Sequence, residues 1–401
     1  MDAAKVCSEL VRIRSENPPG DTRDVIEYIA DILSSLGIRY NIDDEGDGHC
    51  NLYTQYDRPL LFMGHVDVVP AMDNEWERPP FSGEIADGFV HGRGSTDMKG
   101  GCAAALCAVA DYIDGKGGKI GNGASNPASD AESPCNLCFV CDEEGGGHLG
   151  SRKILAGKLI KPCDCLIAEP TPALNPPIGQ KGLIRANVEF IGNPGHGSLY
   201  PCAGTSAVMK AGEFLSRLKE LHNIEFSTDP ETETIYKRSS EIFRELLNVD
   251  SAEEILKHIT FNPGIVSGGE GVNIVAQRCS LTWEMRIPIG CDTDELIARL
   301  RAENPDDIIN IKDVCKPNLT SSDSKIVGAV CGEIERVYRK ESFPIIQWAA
   351  SDARHLRAAG FNAIEYGPGE LNTLHAVNEK VSVENLKKAV DVYTGVLGHY
   401  N

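Results

Sequence analysis

The run Leu60-Leu61-Phe62-Met63-Gly64-His65-Val66-Asp67-Val68-Val69 is apolar enough for a buried strand, yet it carries His65 and Asp67 near its end, just before Pro70. A strand period of two turns those two side chains the same way, and polar groups at the end of a buried strand are costly unless they are used. The pattern recurs. Residues 138–141 and 165–168 read as two more buried strands, the first running into Asp142-Glu143-Glu144 and the second into Glu169. Between the strands, Val25, Ile26, Ile29, Ile32, Leu33 and Leu36 mark an amphipathic helix, with Asp21 as N-cap and Gly37 as stop; the alanine-rich 97–113 marks another. Strands alternating with helices, each strand delivering acids or imidazoles at its carboxyl end, predict an α/β fold. Its catalytic domain would be an open, mostly parallel sheet with helices on both faces and the site at the strand ends.

At roughly 150 residues per domain, 401 residues suggest two or three domains. From about 182 to 316 the order changes: strands at 184–191, 265–267, 281–287 and 308–314, with helices at 206–221 and 293–301. This β-α-β-β-α-β unit is a compact module. The expected division is therefore 1–180 and 317–401 for one domain and 181–316 for a smaller inserted one. The stretch 223–261 holds two possible helices. Residues 115–134, poor in apolar side chains and rich in Gly, Ser, Asn, Ala and Asp, have the composition of a surface insertion.

With 59 acidic residues against 39 Lys plus Arg, the formal charge is −20, a field that repels phosphate backbones and anionic membranes; no nucleic-acid partner is expected. No apolar stretch approaches the ~20 residues of a membrane span, and residues 1–10 lack the order of a secretory signal, so a cytoplasmic setting without a membrane anchor is the expectation. The fourteen cysteines are then read as reduced thiols. Cys135, Cys138 and Cys141 have a spacing that suits a metal cluster, but a fourth ligand is missing and small apolar cysteines also suit a buried strand there.

Five places offer chemistry: His65 with Asp67; Asp97 after the turn Gly92-Arg93-Gly94-Ser95-Thr96; Glu143 with Glu144; Glu169; and His375 near the carboxyl end. Each alone has an ordinary explanation, such as Asp97 as an N-cap or 142–144 as a solvated acidic loop. Together, two histidines and several carboxylates form a ligand set suited to Zn²⁺, Co²⁺ or Mn²⁺, able to hold two ions if one carboxylate bridges, and they point to a two-metal hydrolase. Residues 145–150 do not make a dinucleotide fingerprint, and neither a Walker loop nor a Gly-x-Ser-x-Gly elbow is present.

In order along the chain, Gly64-His65-Val66-Asp67-Val68-Val69-Pro70, Gly92-Arg93-Gly94 with Asp97-Met98-Lys99-Gly100-Gly101, Asp142-Glu143-Glu144-Gly145, Ala168-Glu169-Pro170-Thr171 and His375 resemble one family. It is that of succinyl-diaminopimelate desuccinylase, acetylornithine deacetylase and aminoacylase, which are dinuclear zinc amidohydrolases. The resemblance reaches from Asn17-Pro18-Pro19-Gly20 to Val381. It implies a catalytic domain interrupted by a smaller lid and dimerisation domain, and a homodimer. Asp97 would bridge two zinc ions, with His65 and Glu169 on one and Glu144 and His375 on the other. Glu143 would be the general base, taking a proton from the attacking water and passing it to the departing amine, and Asp67 would orient His65.

In the second domain, Gly195-His196-Gly197-Ser198 resembles the family's histidine that reaches across the dimer to the oxyanion. Asn273 and Arg286 stand where the family holds a substrate carboxylate. Trp348-Ala349-Ala350-Ser351-Asp352-Ala353-Arg354 resembles its substrate-side loop, with Ser351 facing substrate, but Ala349 and Ala350 replace the Gly and Thr usual in desuccinylases and bring the segment nearer to aminoacylases. Glu169-Pro170-Thr171 leans toward desuccinylases and deacetylases. The implied substrate is a small N-acyl amino acid, with a dipeptide as the alternative and a fold-retaining binding protein as the remote one.

Overall fold

The computed structural model describes residues 1–44, 46–72, 75–115 and 133–401, and the 115–134 insertion falls almost wholly outside them. The chain divides into two compact units: Met1–Ile178, Thr320–Pro344 and Ser351–Asn401 form the first, Gly179–Leu319 and Ile345–Ala350 the second. Residues 345–350 thus group with the second unit, whereas the sequence division leaves them in the first.

The first unit is built on a six-stranded sheet in the order Asn41–Asp44, Cys50–Tyr53, Asn136–Val140, Leu60–His65, Asp164–Ile167, Asn362–Glu365. The first two strands pair antiparallel as an edge hairpin and the remaining four run parallel. Leu60–His65 is central and buried at every position, which explains its unbroken apolar run. Register aligns the strand ends: His65 stands opposite Val140, and Met63 opposite Ile167, so the segments leading to Glu143, Glu144 and Glu169 leave the sheet at one level. Helices Ala3–Arg12, Lys99–Gly115, Lys325–Tyr338 and Val383–Tyr400 pack on one another, and Phe62 meets Tyr393 at 5.5 Å between ring centroids. Helix Arg23–Ser35 buries Val25, Ile26, Ile29 and Leu33 as its periodicity predicts. Its N-cap is Thr22 rather than Asp21, whose carboxylate instead accepts the Arg23 amide at 3.1 Å.

The second unit carries a four-stranded antiparallel sheet ordered Thr260–Gly268, Arg278–Ile287, Gly182–Ile191, Ile308–Cys315. Its strands alternate, burying Leu281, Trp283, Met285 and Ile287 on one face. Helices Ala207–His222 and Thr293–Ala302 complete the core, where Phe214 stacks edge-on to both Phe190 and Trp283. The stretch 223–261 holds helices Pro230–Leu247 and Ala252–Lys257. The 265–267 strand is longer than its pattern suggests because Pro263 and Gly264 interrupt the alternation, and the ladder absorbs them as a register shift.

Candidate metal centre

His65 is the last residue of its strand, and its Nδ1 lies 2.9 Å from the Asp67 backbone carbonyl. That hydrogen bond places the ring proton on Nδ1 and turns the Nε2 lone pair toward Asp97 Oδ1 at 3.0 Å and Glu169 Oε1 at 3.8 Å. Lone pairs face one another there unless a proton or a cation sits between them. Asp97 Oδ2 lies 3.1 Å from His375 Nε2, which is also 3.3 Å from Glu144 Oε1. Each oxygen of one carboxylate therefore faces a different histidine, and each histidine has a second carboxylate of its own. Ligand atoms of His65, Asp97 and Glu144 all lie within 4.8 Å of one another.

The electrostatics of these residues express the crowding. Burial pushes the Glu143 and Glu169 carboxyls far above the ordinary range, the latter also through the charge of Asp97. Burial raises Glu144 as well, against the nearby His375 imidazole. Asp97 goes the other way: despite burial, hydrogen bonds from His375 and His65 hold it low. Burial opposes charge on His65, but Asp67 and Asp97 outweigh it and the imidazole sits well above its ordinary value. The Asp97 and Glu144 carboxylates beside its Nε2 push His375 to about 10. Glu144 Oε1, although beside His375, is a buried acceptor with no hydrogen bond. A cation among these groups fits every observation: it fills the face-to-face lone pairs, satisfies the orphaned oxygen and displaces the protons the histidines otherwise hold.

Local backbone explains why these residues meet. Asp67 accepts the amides of Glu143 and Glu144, both at 3.1 Å, so its carboxylate holds the acidic turn, while its Oδ1 stands 3.4 Å from His65 Nδ1. Asn17 spans Asp67 and Asp142 at 2.9 and 3.1 Å. Glu379, fully buried, accepts the amides of Thr96 and Asp97 and pairs with Arg93 at 2.5 Å. Arg93 also donates to the carbonyls of Ala376 and His375, tying one ligand segment to the other. Two glycines allow close approach: a Cβ on Gly101 would overlap the Ala168 carbonyl, and one on Gly150 the Cys141 carbonyl. The Asn17, Arg93, Asp142 and Glu379 roles were not anticipated. All four lie within or beside the quoted motifs, and glycines flanking Arg93 were the available hint of a buried arginine.

The other expected residues are placed differently. Ser351 is buried and its hydroxyl donates to Glu365 at 2.5 Å, which makes it part of the internal Arg357–Glu365 network rather than an exposed substrate contact. In the second unit, His196 and Asn273 are neighbours through the Gly197 amide, which donates to the Asn273 carbonyl at 2.8 Å. His196 Nδ1 accepts the Ser198 amide and so caps the Gly197–Leu199 turn. Arg286, on strand Arg278–Ile287, reaches Glu284 at 3.2 Å. Cys135, Cys138 and Cys141 are buried, burial raises their thiols, and among the described residues no candidate ligand group includes a cysteine.

A mixed α/β catalytic unit with histidines and carboxylates gathered at the ends of parallel strands defines a metal-binding hydrolase. The chain belongs to peptidase family M20/M25/M40, whose model matches residues 61–399, and is an amide-hydrolysing enzyme of that metal-dependent family. It is 28 % identical over 368 residues to a succinyl-diaminopimelate desuccinylase of Helicobacter hepaticus, covering 89 % of this chain and 83 % of that one. A desuccinylase of Sulfurimonas denitrificans is 26 % identical over 399 residues, with 96 % and 95 % covered. Among solved structures, an M20 family metallo-carboxypeptidase from Sulfolobus solfataricus superposes with a TM-score of 0.77 at 20 % identity, covering 100 % and 99 % of the two chains. Among the described residues, no helix is long and apolar enough to cross a membrane.

Proposed function

We propose that the chain is a two-zinc amidohydrolase that removes the acyl group from a small N-acyl amino acid, with N-succinyl-diaminopimelate and N-acetylornithine as first candidates. The observation that carries this reading is the division of Asp97, Oδ1 at 3.0 Å from His65 and Oδ2 at 3.1 Å from His375. His65 and Glu169 would hold one ion, Glu144 and His375 the other, with Asp97 between; Co²⁺ or Mn²⁺ could substitute. When bound, such ions supply Lewis acidity to the scissile carbonyl and counter-charge to the developing oxyanion. Glu143, whose proton affinity burial has raised and whose amide Asp67 holds, takes a proton from the attacking water and delivers it to the departing nitrogen. His196 would stabilise the oxyanion, and Asn273 and Arg286 would bind the substrate carboxylate.

A homodimer is part of the proposal. The edge strand Thr260–Gly268 exposes Ile265 at 65 % and Val266 at 57 %, and Val208 and Met209 are also exposed on helix Ala207–His222. Such an open apolar edge fits a second copy of this chain. All fourteen cysteines are free, which suits a cytoplasmic setting. Dipeptide cleavage is the second reading, favoured by the carboxypeptidase match.

The test is amine release from N-succinyl-diaminopimelate and N-acetylornithine, with zinc and with chelator, beside free amino-acid release from unblocked dipeptides. Metal-dependent release from an acyl substrate is expected, falling about 10²–10⁴-fold in Glu143→Gln with metal content retained. Turnover of dipeptides alone would transfer the assignment to an exopeptidase, and full activity in the variant would remove Glu143 from the mechanism.

A further inference from the structure

The parallel strands that carry the metal centre at one end border a large recess at the other. This cavity of about 1250 Å³ lies wholly in the first unit, beside Leu61, Asn136, Asp164 and Asn362, which stand at the amino ends of the four parallel strands. Strands of four to six residues at about 3.3 Å each put it roughly 15–20 Å from the histidines and carboxylates described above. Its charge runs against the chain. Among the described residues, Arg58, Lys158, Lys161 and Lys325 line it against Asp57 and Asp164, in a protein whose formal charge is −20.

The partners of these groups sharpen the contrast. Asp164 is engaged through both oxygens, by Asn362 Nδ2 at 2.8 Å and the Tyr400 hydroxyl at 2.6 Å. Lys325 sits over the Tyr400 ring, its Nζ 4.0 Å from the centroid, a contact that fixes the ammonium at the wall. Arg58 is anchored by its Nε to the Ser133 carbonyl at 2.9 Å. Lys158 and Lys161, three residues apart, make no ion pair among the described residues, although acids outnumber bases 59 to 39 in the chain. Several ammonium groups converging on one concavity attract a multivalent anion, and lysines, as point charges without a preferred bidentate geometry, suit phosphate oxygens.

We propose that this recess is a binding site for a phosphate group, borne by a small phosphorylated molecule or supplied as the free ion. A molecule held there would bear on the amino ends of the strands whose carboxyl ends carry the metal ligands.

The test titrates inorganic phosphate and, separately, ribose 5-phosphate into the metal-loaded protein at constant ionic strength, with chloride as control. Thermal midpoint and ³¹P line width are followed. A saturable response to phosphate is expected, weakened at least about tenfold in Lys158→Ala/Lys161→Ala and retained in Lys158→Arg/Lys161→Arg. Tighter binding of the ester identifies a phosphorylated molecule as the occupant, and equal binding the free ion. Lys161→Glu is a second variant, since an exposed side chain with no ion-pair partner among the described residues is replaced without disturbing the core. The absence of a saturable response, or equal affinity in the wild type and the alanine variant, would overturn the proposal.

Discussion

The two units solve the same problem, where to put polar side chains, in opposite ways. In the first, the four parallel strands are largely buried, so polar groups collect at their ends and are held from inside: Asp67 holds two amides, Glu379 holds two more and an arginine, and Asn17 spans two carboxylates. In the second, an antiparallel sheet turns alternate residues inward, buried in Arg278–Ile287 and half-buried in Ile308–Cys315, and leaves the others to solvent. Parallel topology thus concentrates chemistry at one edge, whereas antiparallel topology spreads exposed side chains over a face where another surface can cover them.

If that contrast is correct, the largest stability effect of removing one carboxylate falls in the first unit. Glu379→Ala leaves Arg93 buried without its partner and two amides of the Asp97 turn without an acceptor. Denaturant unfolding is expected to show a loss of about 3–5 kcal/mol, together with weakened metal retention; a loss below 1 kcal/mol would mean that the ion pair is not a brace. Breaking the second unit's face is gentler on the fold. Ile265→Asp with Val266→Asp places charges on an already exposed edge, so the unfolding midpoint should hold. Light scattering should nevertheless show a dimer weakened about a hundredfold; a wild-type protein that is monomeric at micromolar concentration would remove the interface.

A pH-dependent effect concerns Lys181, a buried exception inside the second unit. Its Nζ donates to the carbonyls of Ile255 and His258 and to Thr260, and burial lowers its pKa to about 7. Between that value and the unfolded value of about 10.5 the unfolded chain binds the extra proton, so this group makes stability rise with pH across the window. Lys181→Met should be less stable at every pH but lack that rise, and an unchanged slope would assign it to another group.

Much of the centre is legible because it is made of rare side chains placed after conspicuous apolar runs. His65, Glu143, Glu144 and Glu169 announce themselves this way, Asp97 by its glycine-rich turn and His375 by the resemblance alone, and the structure brings the five expected ligands into contact range. What escapes is whatever depends on pairing across long separations. Glu379 is an ordinary acid until Arg93, 286 residues earlier, is known to face it. Ser351 looks available until Glu365 takes its hydroxyl. The Thr260–Gly268 strand is underestimated because outward-facing residues in a half-exposed sheet carry little hydrophobic signal.

The Arg93–Glu379 pair also ties together two distant parts of the sequence. The backbone amide of Asp97 hangs from a carboxylate 282 residues later, and the His375 carbonyl is held by an arginine 282 residues earlier. A nascent polypeptide that has already formed the central strands therefore has only part of its ligand set and a turn whose amides lack acceptors. Those contacts form together only when residues 93–97 and 375–379 have met, so this turn is closed by pairings of very high sequence separation, the kind that form slowly in folding.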